Sequence, residues 1–524
     1  MPPIDRVDKP AKLKLLDTPT ILLLLGAAAY LYCFLFAWPL LPIESSDLGD
    51  SILYIASPLR MLQGEVMYRD FFEFVAPGYA MLCLAFFKLF GVRYWIPNLL
   101  VMILGIGQVW LGYSIAKKLM RPAIAWLPSA IFLVCVRPAL MDPTHNWFSM
   151  FAAVAGIAVL IDCRTLARIA VAGALCGVSA TFTQTRGLIV VFGFAAFLWW
   201  ESRRQKDSAR DLLKREATLF AGFVLAFIAL NAYFIWTAGP AQYFWSTVVF
   251  VLKYYPKQAD WNTLQSLKTY FPVYTHLRAT ILDAAGWSFA FVLGPLIYVL
   301  FLIHWCEARK KPLGYWARPM LVAMVGIFMV LGIAPAPSPM RLDTCVLPPL
   351  ILLVWLVDTR ARFARPLLVG LTVLSVFAGV RGLLKDRPVP EGVLKTEAGQ
   401  MAIPDAYLLE EDAWIESHTK PLDYFYEADF PDVYFYLNLR NPTPLPRIVS
   451  NGYTTVEQVQ QAIHGLQQHR TEYILWRAND LDVLPAWEQP SGDNLGPLRD
   501  YLHSHYHRVK VFSDADEIWE KNLE

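Results

Sequence analysis

Two uninterrupted apolar runs, Ile21–Leu41 and Ala284–Trp305, constrain this chain more than anything else in it. Each reaches the roughly 20 residues that an α-helix needs to cross the hydrocarbon core of a bilayer. Composition agrees: of 524 residues 56% are hydrophobic and 17% charged, with a mean hydropathy of +0.39. A soluble protein carries about 25% charged residues, so the polar surface here is too small to coat a globule of this size. The sequence therefore reads as a polytopic α-helical membrane protein. Soluble enzymes, nucleic-acid binders and secreted disulfide scaffolds are excluded, and membrane lipids are its solvent.

Net charge of +2 matters less than where the charges sit. Arg6, Lys9, Lys12 and Lys14 precede the first apolar run, which is too long for a signal-peptide core and has no A-x-A cleavage site after it. It reads as an uncleaved first span with a cytoplasmic N-terminus. Further basic clusters fall at Lys117–Lys118–Arg121, Arg164 with Arg168, the 203–215 stretch, Arg309–Lys311 and Arg360–Arg365. Placing all of them inside gives about eleven spans, near 20–41, 95–116, 122–138, 147–161, 169–183, 187–200, 217–238, 284–306, 319–335, 344–358 and 366–381. The apolar segment Pro77–Phe90 is short for a span, and counting it as one would invert every later loop. It reads instead as a helix along the outer membrane interface. The first external loop, 42–94, then holds two amphipathic pieces, near 48–63 and 77–90.

Beyond Val380 the composition turns polar. Residues 382–524 alternate strand-like runs (Asp423–Tyr426, Val433–Leu437, Tyr473–Trp476, Arg508–Phe512) with helical stretches near Met401–His418, Thr455–His469 and Leu498–His505. That alternation predicts an α/β domain on the outside, after a transmembrane domain of residues 1–381. Its segment is cysteine-free: the seven cysteines all lie before it, in or beside apolar stretches and without metal spacing, so they read as packing residues. There is no phosphate-binding GxxxxGK[ST] loop, and the cytoplasmic loops are short.

The external loops gather the unusual polar residues. The first contains Glu44, Asp47, Asp50, Tyr54, Arg60, Tyr68 and Glu73; later ones contain Asp142 and His145, Gln184 and Arg186, Lys253 with Tyr254 and Tyr255, and Arg341. A carboxylate at the membrane surface can take a proton from an acceptor hydroxyl as a bond forms. Arg and Lys can hold a phosphate leaving group, Arg in a bidentate manner. Aromatic faces beside them suit a sugar ring. Acid, cation and aromatic on one face fit a lipid-phosphate sugar donor.

The order of elements, together with Asp47-Leu-Gly-Asp50-Ser-Ile-Leu-Tyr54, Leu62-x-Gly64, Tyr68-Arg-Asp70 before Pro77-Gly-Tyr79, and Leu89-Phe-Gly91, resembles the GT-C superfamily of polyprenyl-phosphate-sugar-dependent glycosyltransferases, in its aminoarabinose-transferase and protein O-mannosyltransferase branch. The likeness covers the first 200 residues best, and topology alone thereafter. It implies an inverting transferase of the bacterial inner membrane. A sugar would pass from a polyprenyl-phosphate donor to a periplasmic acceptor, whether lipid, glycan or protein. It implies Asp47 as catalytic base and Asp142 as a second catalytic carboxylate. The family's paired Asp-Glu is broken here by Leu48, and Glu73 stands near a family Phe-Glu-Lys-Pro motif with altered spacing.

Each residue also has a plainer reading. Asp47 suits a helix N-cap, Asp50 the first turn of the same helix, and Asp142 a cap or a turn with Pro143. Lys253 and Arg341 could be interfacial cations that snorkel. Arg186 is different, because an arginine between two apolar runs opposite the basic loops runs against the positive-inside pattern. Asp50, Tyr68, Glu73, His145, Gln184, Arg186, Lys253, Tyr254 and Arg341 are thus candidate substrate contacts. No cofactor is required, though Asp142 and His145 leave a divalent metal open. Two other functions remain: a lipid-linked sugar flippase, which calls for paired charges at mid-membrane, and a non-catalytic scaffold, which calls for external acids and arginines that do not converge. The His503-Ser-His505-Tyr-His507 string reads as a solvated helix end rather than a metal site.

Overall fold

The computed structural model describes residues 17–36, 51–141, 144–359, 364–385, 390–403, 405–429, 431–482 and 493–523. The expected first span is α1 (Thr18–Leu35), and the two loop pieces are α2 (Ser51–Leu62) and α3 (Gly78–Phe90). A bundle follows of α4 (Trp95–Ala116), α5 (Leu127–Leu140), α6 (His145–Leu160), α7 (Leu166–Phe182), α8 (Gln184–Gln205) and α9 (Ala209–Ala238). After short helical turns between residues 240 and 269 come α10 (Ala279–Glu307), α11 (Leu313–Leu331), the short α12 (Pro339–Asp343), α13 (Leu347–Thr359) and α14 (Ala364–Lys385). Among the described residues α1, α4, α9, α10, α11 and most of α14 are long and apolar enough to cross a membrane, and α3, α5, α6, α7 and α13 are shorter apolar helices.

Lipid tails are as apolar as leucine, so burial alone cannot drive such helices together; close approach must. The sequence Gly173-Ala-Leu-Cys-Gly177 provides it on α7. A Cβ at Gly173 would stand 2.0 Å from the carbonyl oxygen of Leu219 on α9, and one at Gly222 would stand 2.3 Å from that of Ala170. The two backbones therefore touch, and a side chain at either place would separate them.

Ion pairs mark one end of the bundle. Lys118 and Arg318 share Asp162, Arg121 pairs with Asp358, and Arg164 and Arg215 converge on the buried Glu201. These residues lie at the C-terminal ends of α4, α6, α8 and α13 or the N-terminal ends of α7, α9 and α11. The opposite end, where α6 and α8 begin, faces α2, α3 and the C-terminal unit.

In that unit β1 (Gly392–Thr396) and β2 (Gly399–Ile403) make a hairpin ahead of α15 (Ala406–His418). A four-stranded sheet follows, with β3 (Tyr426–Ala428), β4 (Tyr473–Arg477), β5 (Tyr506–Val511) and β6 (Asp516–Lys521) in the order β3-β4-β6-β5. The β3–β4 pair is parallel, which requires a crossover; this contains α16 (Val433–Leu437) and α17 (Val456–Gln468), the latter started by a Thr455–Gln458 capping box. Ahead of β5 comes α18 (Gly496–His505). One expectation is corrected: Val433–Leu437 is a helical turn rather than a strand. All five of its side chains are buried, against α2 and Tyr94 among others, so tertiary packing overrides the strand preference of a Val-Tyr-Phe-Tyr-Leu run. The Met401–His418 stretch divides likewise into the end of β2 and α15.

Backbone carbonyls of the C-terminal unit fasten it to the first loop. Arg60 on α2 donates to Thr443 O at 2.9 Å, the Phe72 amide to Pro444 O at 2.7 Å, and the Tyr94 hydroxyl to Tyr436 O at 2.6 Å. As a test of the helix packing, Gly173→Val should lower the unfolding midpoint in detergent by several degrees. Gly370→Val, on an exposed face of α14 with open space around it, should change it little; the comparison is a thermal-shift measurement.

Candidate active site

The end of the bundle opposite the ion pairs carries several of the candidate residues. Thr183 is the N-cap of α8 but makes no side-chain cap bond there, because its hydroxyl lies 2.7 Å from Nδ1 of His145. His145 is the first residue of α6, and its ring meets Tyr54 of α2 edge to face at 4.6 Å between centroids. The starts of α2, α6 and α8 are thus tied together. Asp47, Asp50 and Asp142 lie outside the described residues; they precede the first residues of α2 and α6 by four, one and three positions in the sequence.

Arg186 sits in the first turn of α8 and is 3% exposed. Its Nη1 donates to the Thr344 hydroxyl at 3.0 Å, and that hydroxyl donates to Arg341 O at 2.6 Å. Thr344 thus links the Arg186 guanidinium to the main chain of Arg341. Arg341 holds the loop opposite: it donates to Trp261 O at 3.1 Å, Ala336 O at 3.0 Å, the Tyr255 hydroxyl at 2.7 Å and Asn262 Oδ1 at 3.1 Å. Among the described residues Arg186 forms no ion pair, in contrast to Lys118, Arg121, Arg164, Arg215 and Arg318 at the other end. A cation at a helix N-terminus opposes the helix dipole, and a buried one without a carboxylate is costly. An anion at this place would relieve both, since helix N-termini and guanidinium groups attract the same charge.

Three expected contacts serve the frame instead. The Gln184 amide donates to Phe74 O at 2.8 Å and Thr247 O at 3.0 Å, and its oxygen accepts from the Ala76 amide at 3.3 Å. Glu73 is buried and accepts from the Ser57 hydroxyl and the amides of Phe74 and Val75, while burial pushes its carboxyl above the usual range. Tyr68, buried beside Tyr243, donates to Val75 O at 2.5 Å. Together they fix the 68–76 segment. Lys253 is exposed and lies over the Tyr254 ring at 5.0 Å; Tyr254 in turn stacks on Phe250. The structure gives neither a contact with the arginine pair.

Several neighbours are not among the candidate contacts. Tyr255, Asn262, Thr183 and Thr344 touch the pair or its histidine, and their roles depend on contacts between distant segments. Tyr453 of the C-terminal unit packs on Phe74, Phe250 and Tyr255, continuing an aromatic wall from one domain to the other. Arg137, near the same end of α5, is 7% exposed and lies 4.1 Å from the Phe34 ring; the argument that singled out Arg186 applied to it as well. The string of three histidines is split among different partners: His503 meets Trp519, His505 stacks on Tyr501, and His507 bonds Asn522.

No family model matches the chain, and none of the curated proteins does. Its fold is similar to that of ArnT from Cupriavidus metallidurans in the apo state, with a TM-score of 0.57 at 12% identity over 95% of this chain and 97% of that one. The same enzyme bound to undecaprenyl phosphate gives 0.54. The archaeal oligosaccharyltransferase AglB from Archaeoglobus fulgidus, in complex with an inhibitory peptide and a dolichol-phosphate, gives 0.51 at 11% identity over 97% of this chain and 74% of that one. Both neighbours are GT-C superfamily glycosyltransferases, so the fold expected from the resemblance is the fold observed.

Asp343, two residues beyond Arg341, offers a test of this region. Its Oδ1 is buried without a hydrogen-bond partner, and loss of water pushes the carboxyl up to about 7. The folded state then holds a proton that the unfolded state has released, so stability falls as pH rises from about 4 to 7. Asp343→Asn removes this dependence. Its unfolding midpoint should gain on wild type between pH 5 and pH 7 and level off above, as thermal unfolding in buffered detergent would show.

Proposed function

We propose that the chain is an integral-membrane glycosyltransferase of the bacterial inner membrane, moving a sugar from a polyprenyl-phosphate donor to a periplasmic lipid, glycan or protein acceptor. The observation that carries this reading is the buried Arg186, joined through Thr344 to the main chain of Arg341 and lacking a carboxylate partner among the described residues. The GT-C fold supports it, as does the undecaprenyl phosphate bound to ArnT. In this reading about eleven helices cross the membrane and the C-terminal unit, residues 382–524, lies in the periplasm with α2 and α3.

Asp47 takes the proton of the acceptor hydroxyl as its oxygen attacks the anomeric carbon. The bond from that carbon to the phosphate oxygen breaks on the opposite face, inverting the anomeric configuration. The departing phosphate gains negative charge, which Arg186, Arg341 and the uncapped start of α8 stabilise; Asp142 is the second carboxylate. Gln184, Glu73 and Tyr68 act as positioning residues through the 68–76 segment, with Asp50, His145, Tyr254 and Lys253 around the sugar and lipid head.

The test is incubation of purified protein with a panel of polyprenyl-phosphate sugars and an envelope lipid extract, followed by mass spectrometry. One donor should be consumed and free polyprenyl phosphate should appear. Asp47→Asn should slow turnover by about 100-fold or more, and so should Arg186→Ala, with folding intact by thermal shift. Transfer at the wild-type rate by Asp47→Asn overturns the assignment.

A further inference from the structure

The C-terminal sheet holds a second concentration of charge that sugar transfer does not use. Arg477, at the end of β4, is its centre: Asp516 lies 2.6 Å away, Glu427 2.8 Å, and Glu411 and Asp432 each 3.6 Å. Asp412, beside Glu411 on α15, is buried as well. One guanidinium thus faces four carboxylates with a fifth behind them, and buried charge of that excess must be met by protons or by another cation.

The balance fails at Glu411. The residue is 1% exposed, Arg477 reaches it only at 3.6 Å, and its Oε2 has no hydrogen-bond partner. Carboxylate oxygens of Glu411, Asp514 and Asp516 lie within 4.8 Å of one another. All three groups are carboxylates, the donors that Ca²⁺ takes in flexible geometry, whereas Mg²⁺ demands a near-ideal octahedron and keeps several of its waters.

We propose that Glu411, Asp514 and Asp516 hold a Ca²⁺ ion that ties α15 to the turn between β5 and β6. The ion supplies the positive charge that Arg477 alone cannot. Its mechanical consequence runs through Glu427, which bonds Arg477 at 2.8 Å and accepts from the Val433 amide at the head of α16 at 3.2 Å. On α16, Phe435 stacks on Phe87 of α3, and Tyr436 O takes the Tyr94 hydroxyl. The ion therefore stiffens the turn by which the C-terminal unit sits on the bundle.

The test uses the full chain in detergent at neutral pH, stripped with EGTA and titrated with CaCl₂ or MgCl₂. The unfolding midpoint should climb by a few degrees with Ca²⁺ and keep rising with its concentration, with a much smaller response to Mg²⁺. Asp514→Asn, at a partly exposed turn, should leave the midpoint in EGTA near that of wild type and abolish the Ca²⁺ response. Glu411→Gln should also abolish the response. A wild-type midpoint unmoved by Ca²⁺ up to about 10 mM, well above the dissociation constants of extracellular calcium modules, overturns the proposal and leaves protons to neutralise the cluster. An equal Ca²⁺ shift in Asp514→Asn overturns it too.

Discussion

A guanidinium held out of water at the positive end of a helix needs an anion, and Arg186 has none from the described residues. Around that need the upper bundle is arranged. Thr344 orients the guanidinium and bonds the main chain of Arg341, and Thr183 leaves the start of α8 uncapped to hold His145. The far end of the bundle shows the alternative, with Lys118, Arg121, Arg164, Arg215 and Arg318 all paired to acids. Among the described residues the cations of that end are neutralised within the fold, whereas Arg186 is not.

The frame beneath this pair rests on backbone contact rather than on side-chain bulk. Gly173 and Gly222 let α7 and α9 touch, which sets the upper end of α7 and hence Thr183. On the loop side Glu73, Tyr68 and Gln184 use their polar atoms on main-chain groups of neighbouring segments. The C-terminal unit extends the frame: Thr443 and Pro444 hold the first loop, and Tyr453 joins the aromatic wall next to Tyr255.

Much of this was legible in the sequence because the bilayer imposes simple rules. Apolar length predicted the helices, the basic loops their alternation, and the exception to that alternation singled out Arg186. Arg137 carried the same signal but sits within an apolar run, where it was taken as part of a span. Thr344, Asn262 and Tyr453 could not be read, since their importance arises from partners far along the chain. Val433–Leu437 misled because a β-branched and aromatic run is equally at home in a buried helical turn. Of the carboxylates, Asp47, Asp50 and Asp142 lie outside the described residues, so their place beside the arginines rests on sequence order and resemblance.

The central claim is that the arginine pair receives a lipid phosphate, and a structure of the protein with polyprenyl phosphate bound tests it most directly. The account predicts phosphate density within hydrogen-bonding distance of both Arg186 and Arg341, beside the start of α8. Phosphate bound elsewhere, with Arg186 still turned only to Thr344, would contradict it.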